Sequence, residues 1–77
     1  MKVHVDLYVN LKKYAPSGEN SFEIQLESGA TVKTVLKILK IPADEKPIVL
    51  VNGRNADESN PLKEKDTITL YSPISGG

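Results

Sequence analysis

Residues 21–40 read SFEIQLESGATVKTVLKILK, and the hydrophobic period changes once within them. Phe22, Ile24 and Leu26 alternate with Ser21, Glu23, Gln25 and Glu27, the period of two expected of a half-buried strand. Ser28-Gly29-Ala30 breaks that pattern. Val32, Val35, Leu36 and Leu39 then fall at i, i+3, i+4 and i+7, one face of a helix, while Lys33, Lys37 and Lys40 face water. Thr31 takes the N-cap position. Thr34 stands where a capping box has Glu or Gln, so the box reads as incomplete. Pro42 sets the predicted end of the helix, because it disfavours the helical conformation at Ile41.

The flanks of this stretch supply a sheet. Upstream, Val3, Val5, Leu7 and Val9 alternate with His4, Asp6 and Tyr8, and Pro16-Ser17-Gly18 marks a turn. The two strands are therefore expected to pair as a hairpin. Downstream, Ile48-Val49-Leu50-Val51 is a short apolar strand closed by Asn52-Gly53, a strong turn signal. Pro61-Leu62 sits in a polar connection, and a last strand runs from Thr67 to Tyr71 with Ile68 and Leu70 on one face. The order is β-β-α-β-(loop or short β)-β. A hairpin feeding a helix, with later strands returning to the same sheet, gives a two-layer α+β domain. A right-handed crossover through the helix lays the last strand parallel to the first. This arrangement resembles the ubiquitin-like β-grasp, a mixed β-sheet packed on one main helix. The predicted domain spans residues 1–71, and residues 72–77 form a flexible C-terminal tail.

Composition narrows the function. Seventy-seven residues allow one domain with one small core and a thin margin of stability. The absence of cysteine removes zinc thiolate sites, iron–sulfur ligation and thiol nucleophiles. Ten acidic and ten basic residues give a net charge of zero, which argues against nonspecific nucleic-acid binding. The longest apolar run, Ile48 to Val51, is too short to span a bilayer, and no signal-peptide pattern opens the chain. The expectation is a cytoplasmic protein with no nucleic-acid or membrane partner and no bound metal or cofactor.

The sequence closes on Gly76-Gly77. At average glycine usage, two glycines fall in the last two positions in roughly one chain in 200. Val51-Asn52-Gly53-Arg54, then Pro61-Leu62-Lys63-Glu64-Lys65-Asp66, then Leu70-Tyr71-Ser72-Pro73-Ile74-Ser75-Gly76-Gly77 resemble the C-terminal third of the small-subunit family of molybdopterin synthase. Gly29-Ala30-Thr31-Val32 and Leu11-Lys12-Lys13-Tyr14-Ala15 resemble the same family, so the likeness covers essentially the whole chain. Thiamin-pathway sulfur carriers share the fold and the diglycine, but Pro73 fits the molybdopterin branch better. One departure stands out. The family usually has Gly at the tight turn where this chain has Lys65. A non-Gly residue with positive φ there costs about 1 kcal/mol, so either the turn type differs or the strain is absorbed.

The resemblance implies that the tail is the working part. A free carboxylate is a poor electrophile, because its charge repels nucleophiles and oxide is a bad leaving group. An E1-like adenylating enzyme would use ATP to convert the Gly77 carboxylate to an acyl-adenylate, and a sulfur donor would then displace AMP to leave a thiocarboxylate. The implied second partner is the large subunit of molybdopterin synthase, whose residues would do the acid–base work while Gly77 supplies sulfur. Lysine attack on the same adenylate would instead make an isopeptide, as in a ubiquitin-like modifier. Delivery to thiamin or to tRNA is a further reading, and a binding module with an idle tail is another. Gly76 and Gly77 have no Cβ, Pro73 stiffens the arm, and Ser75 and Ile74 complete the segment that would thread a partner's channel. At ~3.5 Å per residue, the arm from Tyr71 to Gly77 reaches roughly 20 Å.

By analogy with ubiquitin, Val49 and Val51 face the core and Leu50 lies on the outer face with Tyr71, burial of Leu50 under a loop being the alternative. Exposed Leu50, Tyr71, Pro73 and Ile74 would then make the apolar patch of a partner interface. His4 reads as an ordinary surface residue, with nothing supplying a nucleophile or a second metal ligand. Arg54 reads as an exposed turn residue. Asp57, Glu58, Glu64 and Asp66 read as loop acids without a catalytic constellation.

Overall fold

The computed structural model describes residues 1–72. Five strands form one sheet: β1 (Lys2–Leu7), β2 (Ser21–Gln25), β3 (Ile48–Val51), β4 (Arg54–Ala56) and β5 (Thr67–Tyr71), in the order β2-β1-β5-β3-β4. β1 and β2 form the antiparallel hairpin that their alternation predicts, with Val5 opposite Phe22 and Val3 opposite Ile24. β5 runs parallel to β1 and antiparallel to β3, so the sheet is mixed. One α-helix, α1 (Val32–Ile38), covers one face, and two 3₁₀ helices lie at Val9–Tyr14 and Ala43–Glu45. The short β4 resolves the alternative left open after Asn52-Gly53. This is the expected ubiquitin-like β-grasp.

Burial follows the two periods. Val3, Val5 and Leu7 of β1, Ile68 and Leu70 of β5 and Val49 of β3 meet Val32, Val35, Leu36 and Leu39 of the helical segment in a single core. Each such side chain contributes about 1.5–3 kcal/mol when fully buried, so a core this small depends on every one of them. The extended backbone ends before Val9. The strand stops at Leu7 and the chain turns into the Val9–Tyr14 3₁₀ helix, whose Leu11 is fully buried and closes that end of the core. Leu62 is also core, a single apolar residue that the polar connection inserts beneath the sheet.

Thr31 is the N-cap of α1, as the sequence reading has it, but the box is complete and the end of the helix differs. At the start the loop adds acceptors, since Val32 N–H donates to the Asn60 carbonyl and Lys33 N–H to the Glu58 carbonyl, each at 3.0 Å. Thr34 fills the role assigned to Glu or Gln, with its Oγ1 accepting the Thr31 N–H at 3.1 Å. The helix ends before Pro42. Lys40 adopts a left-handed φ of 59°, its N–H donating to the Lys37 carbonyl, while Ile41 N–H donates to the Leu36 carbonyl. That paired closure is a Schellman motif, with Lys40 where glycine is usual.

Two polar clusters tie loops to this frame. Asp66, only 5% exposed, accepts the Asn52 Nδ2–H on Oδ1 at 2.8 Å and the Lys63 N–H on Oδ2 at 2.7 Å. Asn52 in turn accepts the Thr67 N–H at 2.9 Å. Asp66 is therefore a structural acid and no idle loop carboxylate. Lys65 beside it does take the left-handed conformation, φ 70°, and its N–H donates to the Lys2 carbonyl at 2.8 Å. In the second cluster, Tyr14 Oη donates to Glu45 Oε2 at 2.6 Å, and Lys13 Nζ lies 3.5 Å from the same oxygen. The bond to Glu45 pushes the Tyr14 phenol from 10.0 up to about 12, and the same bond, helped by Lys13, holds the Glu45 carboxyl below 4.5.

Asp66→Ala leaves the Lys63 amide and the Asn52 carboxamide without their acceptor. It is expected to cost about 2–4 kcal/mol in urea unfolding at neutral pH. The Tyr14–Glu45 pair gives a pH signature. Because the Tyr14 value is raised, its stabilisation is whole below pH 10.0 and is lost as pH rises through about 12. Because the Glu45 value is lowered, its stabilisation is whole above pH 4.5 and is lost as pH falls through its folded value. In Glu45→Gln, an absorbance titration should show the phenolate step near 12 moving back toward 10.0, and the acid limb of the stability curve should flatten.

Candidate functional site

The sheet face opposite α1 is open, and its composition changes from one side to the other. Register places Ser21, Asp6, Thr69, Leu50 and Asn55 in one row across all five strands. The next row toward the end of β5 holds Tyr71 opposite Ile48. Tyr8 N–H donates to the Leu70 carbonyl at 3.0 Å, which carries the β1–β5 ladder one step further and brings Tyr8 beside Tyr71. Ile48, Leu50 and Tyr71 are half-buried and Tyr8 is 49% exposed. Four large side chains thus gather where β5 ends and the chain runs on to Ser72.

Strand parity explains this placement. Val49 and Val51 are opposite Leu70 and Ile68, with Val49 buried in the core and Val51 packed against it. Leu50 and Tyr71 must then occupy the outer face, where the sequence reading put them. Tyr8 and Ile48 were not assigned to that patch. The signal was present: Tyr8 has the parity of His4 and Asp6, and a parallel β1–β5 register aligns it with Tyr71. Pro73, Ile74, Ser75, Gly76 and Gly77, the predicted threading segment and reactive end, lie outside the described residues.

On the polar half of the face, His4 has hydrogen-bonding neighbours that the sequence reading did not give it. His4 is not isolated. Its Nε2 lies 2.8 Å from Ser21 Oγ and 3.1 Å from Asp6 Oδ1, and Ser21 Oγ donates to Asp6 Oδ1 at 2.7 Å. The hairpin register that sets Asp6 opposite Ser21 assembles the three. They do not form a nucleophile relay. Such a relay needs the acid on one imidazole nitrogen and the hydroxyl on the other, whereas here one nitrogen serves both and the Ser21 proton points at the carboxylate. No group of three metal-ligating side chains occurs among the described residues.

The remaining acids have local roles. Asp57 Oδ1 accepts the Ser59 hydroxyl at 2.7 Å and the Ser59 N–H at 3.0 Å, and these bonds hold its carboxyl below 3.8. Arg54 is exposed on the β4 side of the turn. Clefts occur along Gln25–Ala30 beside Thr34 and Ile38, and among Val51, Asn52, Arg54, Asn60, Pro61, Lys63 and Asp66. Neither brings a nucleophile to a base, and neither adjoins the end of β5. No helix among the described residues is long and apolar enough to cross a membrane.

Comparison with known proteins locates this geometry. SAMP1 of Haloferax volcanii, a small archaeal modifier protein, is 25% identical with all of both chains covered and a TM-score of 0.78. A putative molybdopterin converting factor subunit 1 from Pyrococcus furiosus is 23% identical over 95% of this chain and 98% of that one, with a TM-score of 0.78, and shares the fold. A chain of the complex of subunits 1 and 2 of the molybdopterin-converting factor from Helicobacter pylori is 26% identical with all of both chains covered and a TM-score of 0.66. A sequence search of curated proteins finds no match. The ThiS family model matches residues 5–77, the strands, the helix and the terminal diglycine together. The chain belongs to the ThiS family, as a ThiS-like sulfur carrier with the ubiquitin-like β-grasp fold.

Proposed function

We propose that this carrier is the sulfur-donating small subunit of a molybdopterin synthase. The observation that carries the reading is the apolar group Tyr8, Ile48, Leu50 and Tyr71 at the end of β5, where residues 72–77 begin. A patch there can seat a partner at a fixed distance from the tail, and large apolar side chains on an otherwise polar face are the expected anchors. The 26% identity to a subunit that is solved in complex with subunit 2 of a molybdopterin-converting factor supports a large-subunit partner of the same kind.

The reaction follows from the carboxylate. An E1-like adenylating partner joins the Gly77 carboxylate to the α-phosphorus of ATP, and pyrophosphate leaves. A sulfur donor then attacks the acyl carbon, AMP leaves, and the product is a thiocarboxylate. Its sulfur is a soft nucleophile that attacks the substrate in the large subunit, and hydrolysis of the acyl bond returns the carboxylate. The chain itself binds no cofactor in this scheme. Its contribution is the electrophilic carbonyl, a narrow arm and a rigid base. A protein-modifier reading is favoured by the 25% identity to SAMP1 and differs only in the attacking group, a lysine amine in place of sulfide.

Intact-mass measurement of the protein from its own cells under sulfur-replete growth is expected to show a species heavier by one oxygen-to-sulfur exchange, and deletion of Gly77 should abolish it. Its absence would overturn sulfur carriage, and lysine conjugates lost on the same deletion would favour the modifier. Leu50→Asp is a test of the docking face. Leu50 is half-buried, so folding should change by no more than about 1 kcal/mol, while affinity for the large subunit, read by calorimetry, should fall by tenfold or more, about 1.4 kcal/mol.

A further inference from the structure

The β3–β4 turn places an Asn-Gly peptide against a buried carboxylate, a pairing that the proposed function does not use. Asn52 and Gly53 are exposed, with φ of 52° and 84°. The Asn52 side chain is nonetheless held at both polar atoms. Nδ2 donates to Asp66 Oδ1 at 2.8 Å, and Oδ1 accepts the Thr67 N–H at 2.9 Å. The Asn52 N–H donates to the Thr67 carbonyl at 2.8 Å, so backbone and side chain together fasten the turn to the start of β5.

An Asn followed by Gly is chemically exposed, because glycine has no Cβ to hinder attack by its own amide nitrogen. The Gly53 nitrogen bonds to Asn52 Cγ, the Cγ–Nδ2 bond breaks, and Nδ2 departs as ammonia with the proton given up by Gly53. Water then opens the resulting succinimide at either carbonyl, leaving aspartate or isoaspartate. The balance is one water in and one ammonia out, with no change of oxidation state. Attack requires the carboxamide to rotate, and the bonds to Asp66 and Thr67 oppose that rotation.

We propose that Asn52 is a site of spontaneous deamidation, gated by opening of the Asn52–Asp66 clamp, and that the reaction prevents the clamp from closing again. A carboxylate at position 52 puts an oxygen where Nδ2 stood, 2.8 Å from Asp66 Oδ1. Two acceptors of like charge then face each other at a residue that is 5% exposed. Arg54 and Lys63 line the same cleft but are themselves exposed. The isoaspartate product also adds a backbone carbon within the pairing of Val51 with Arg54.

The test ages full-length protein at mildly alkaline pH, folded and in urea, with peptide mapping for aspartate and isoaspartate at position 52. Reaction in the folded protein is expected to be slower than in urea by at least about tenfold, since the hydrogen bonds must open first. Equal rates would overturn the gating, and no reaction at Asn52 in urea would overturn the site. Two variants isolate the consequence. Asn52→Gly keeps the turn and removes the carboxamide without adding charge, whereas Asn52→Asp reproduces the product. Asn52→Asp should fold with an equilibrium constant below that of Asn52→Gly by about tenfold. Equal stability of the two would overturn the claim that the product blocks the clamp.

Discussion

β5, formed by the last residues of the domain, lies in the middle of the sheet, parallel to β1 on one side and antiparallel to β3 on the other. Its backbone groups are therefore paired from both edges, and Ile68 and Leu70 are fully buried beneath α1. A central strand cannot slip by one residue without turning Ile68 and Leu70 outward and Thr69 inward. Register at β5 thus fixes the positions of β1 and β3. The start of the strand is set by Asp66 and Asn52, whose hydrogen bonds act across the β3–β4 turn. His4 N–H adds a bond to the Asp66 carbonyl at 2.9 Å, which aligns β1 with the same point.

Most of this arrangement is legible wherever the periodicity is uninterrupted. β1, β2, β5 and α1 follow from alternation and from the i, i+3, i+4, i+7 spacing, because in each the burial repeat equals the geometric repeat, and β3 follows from its short apolar run closed by Asn52-Gly53. Departures cluster where a nonlocal partner decides. The alternation of residues 3–9 predicts a longer strand, yet the extended backbone stops at Leu7 and the chain turns into the 3₁₀ helix that buries Leu11. Leu39 and Ile41 are both buried, and the left-handed Lys40 between them ends the helix before Pro42 can act. Leu62 and Asp66 are both buried in a connection that composition marks as polar. Only the folded loop shows that one plugs the core and that the carboxylate of the other accepts from both Asn52 and Lys63.

The open face was legible in part for the same reason. Parity places Leu50 and Tyr71 together, since their strands and register are regular. Tyr8 joins them through a pairing between the first and last strands, and Ser21 joins His4 and Asp6 through the hairpin. Neither contact is local in sequence. The Ser21–His4–Asp6 group also shows why residue types do not make a site by themselves. A single imidazole nitrogen serving both neighbours leaves the hydroxyl bonded to the acid, a stable arrangement with no route for a proton to move from serine to histidine.

A domain of this size has little interior to spare for an enclosed active site. Under the proposed function the partner supplies the enclosure instead. On that proposal, what the described residues contribute is the sheet from which Tyr71 and Ser72 leave. A strand held on both edges is harder to displace than an edge strand, which could peel away from its one neighbour. The apolar side chains Tyr8, Ile48, Leu50 and Tyr71 lie at the end of β5, where the proposed function seats the partner. The polar half of the face, Ser21, Glu23, His4 and Asp6, keeps the exposed β2 edge hydrated and unattractive to a second sheet. Central placement of β5 thus fixes the sheet at Tyr71, and the division of the open face gathers its large apolar side chains at that same end.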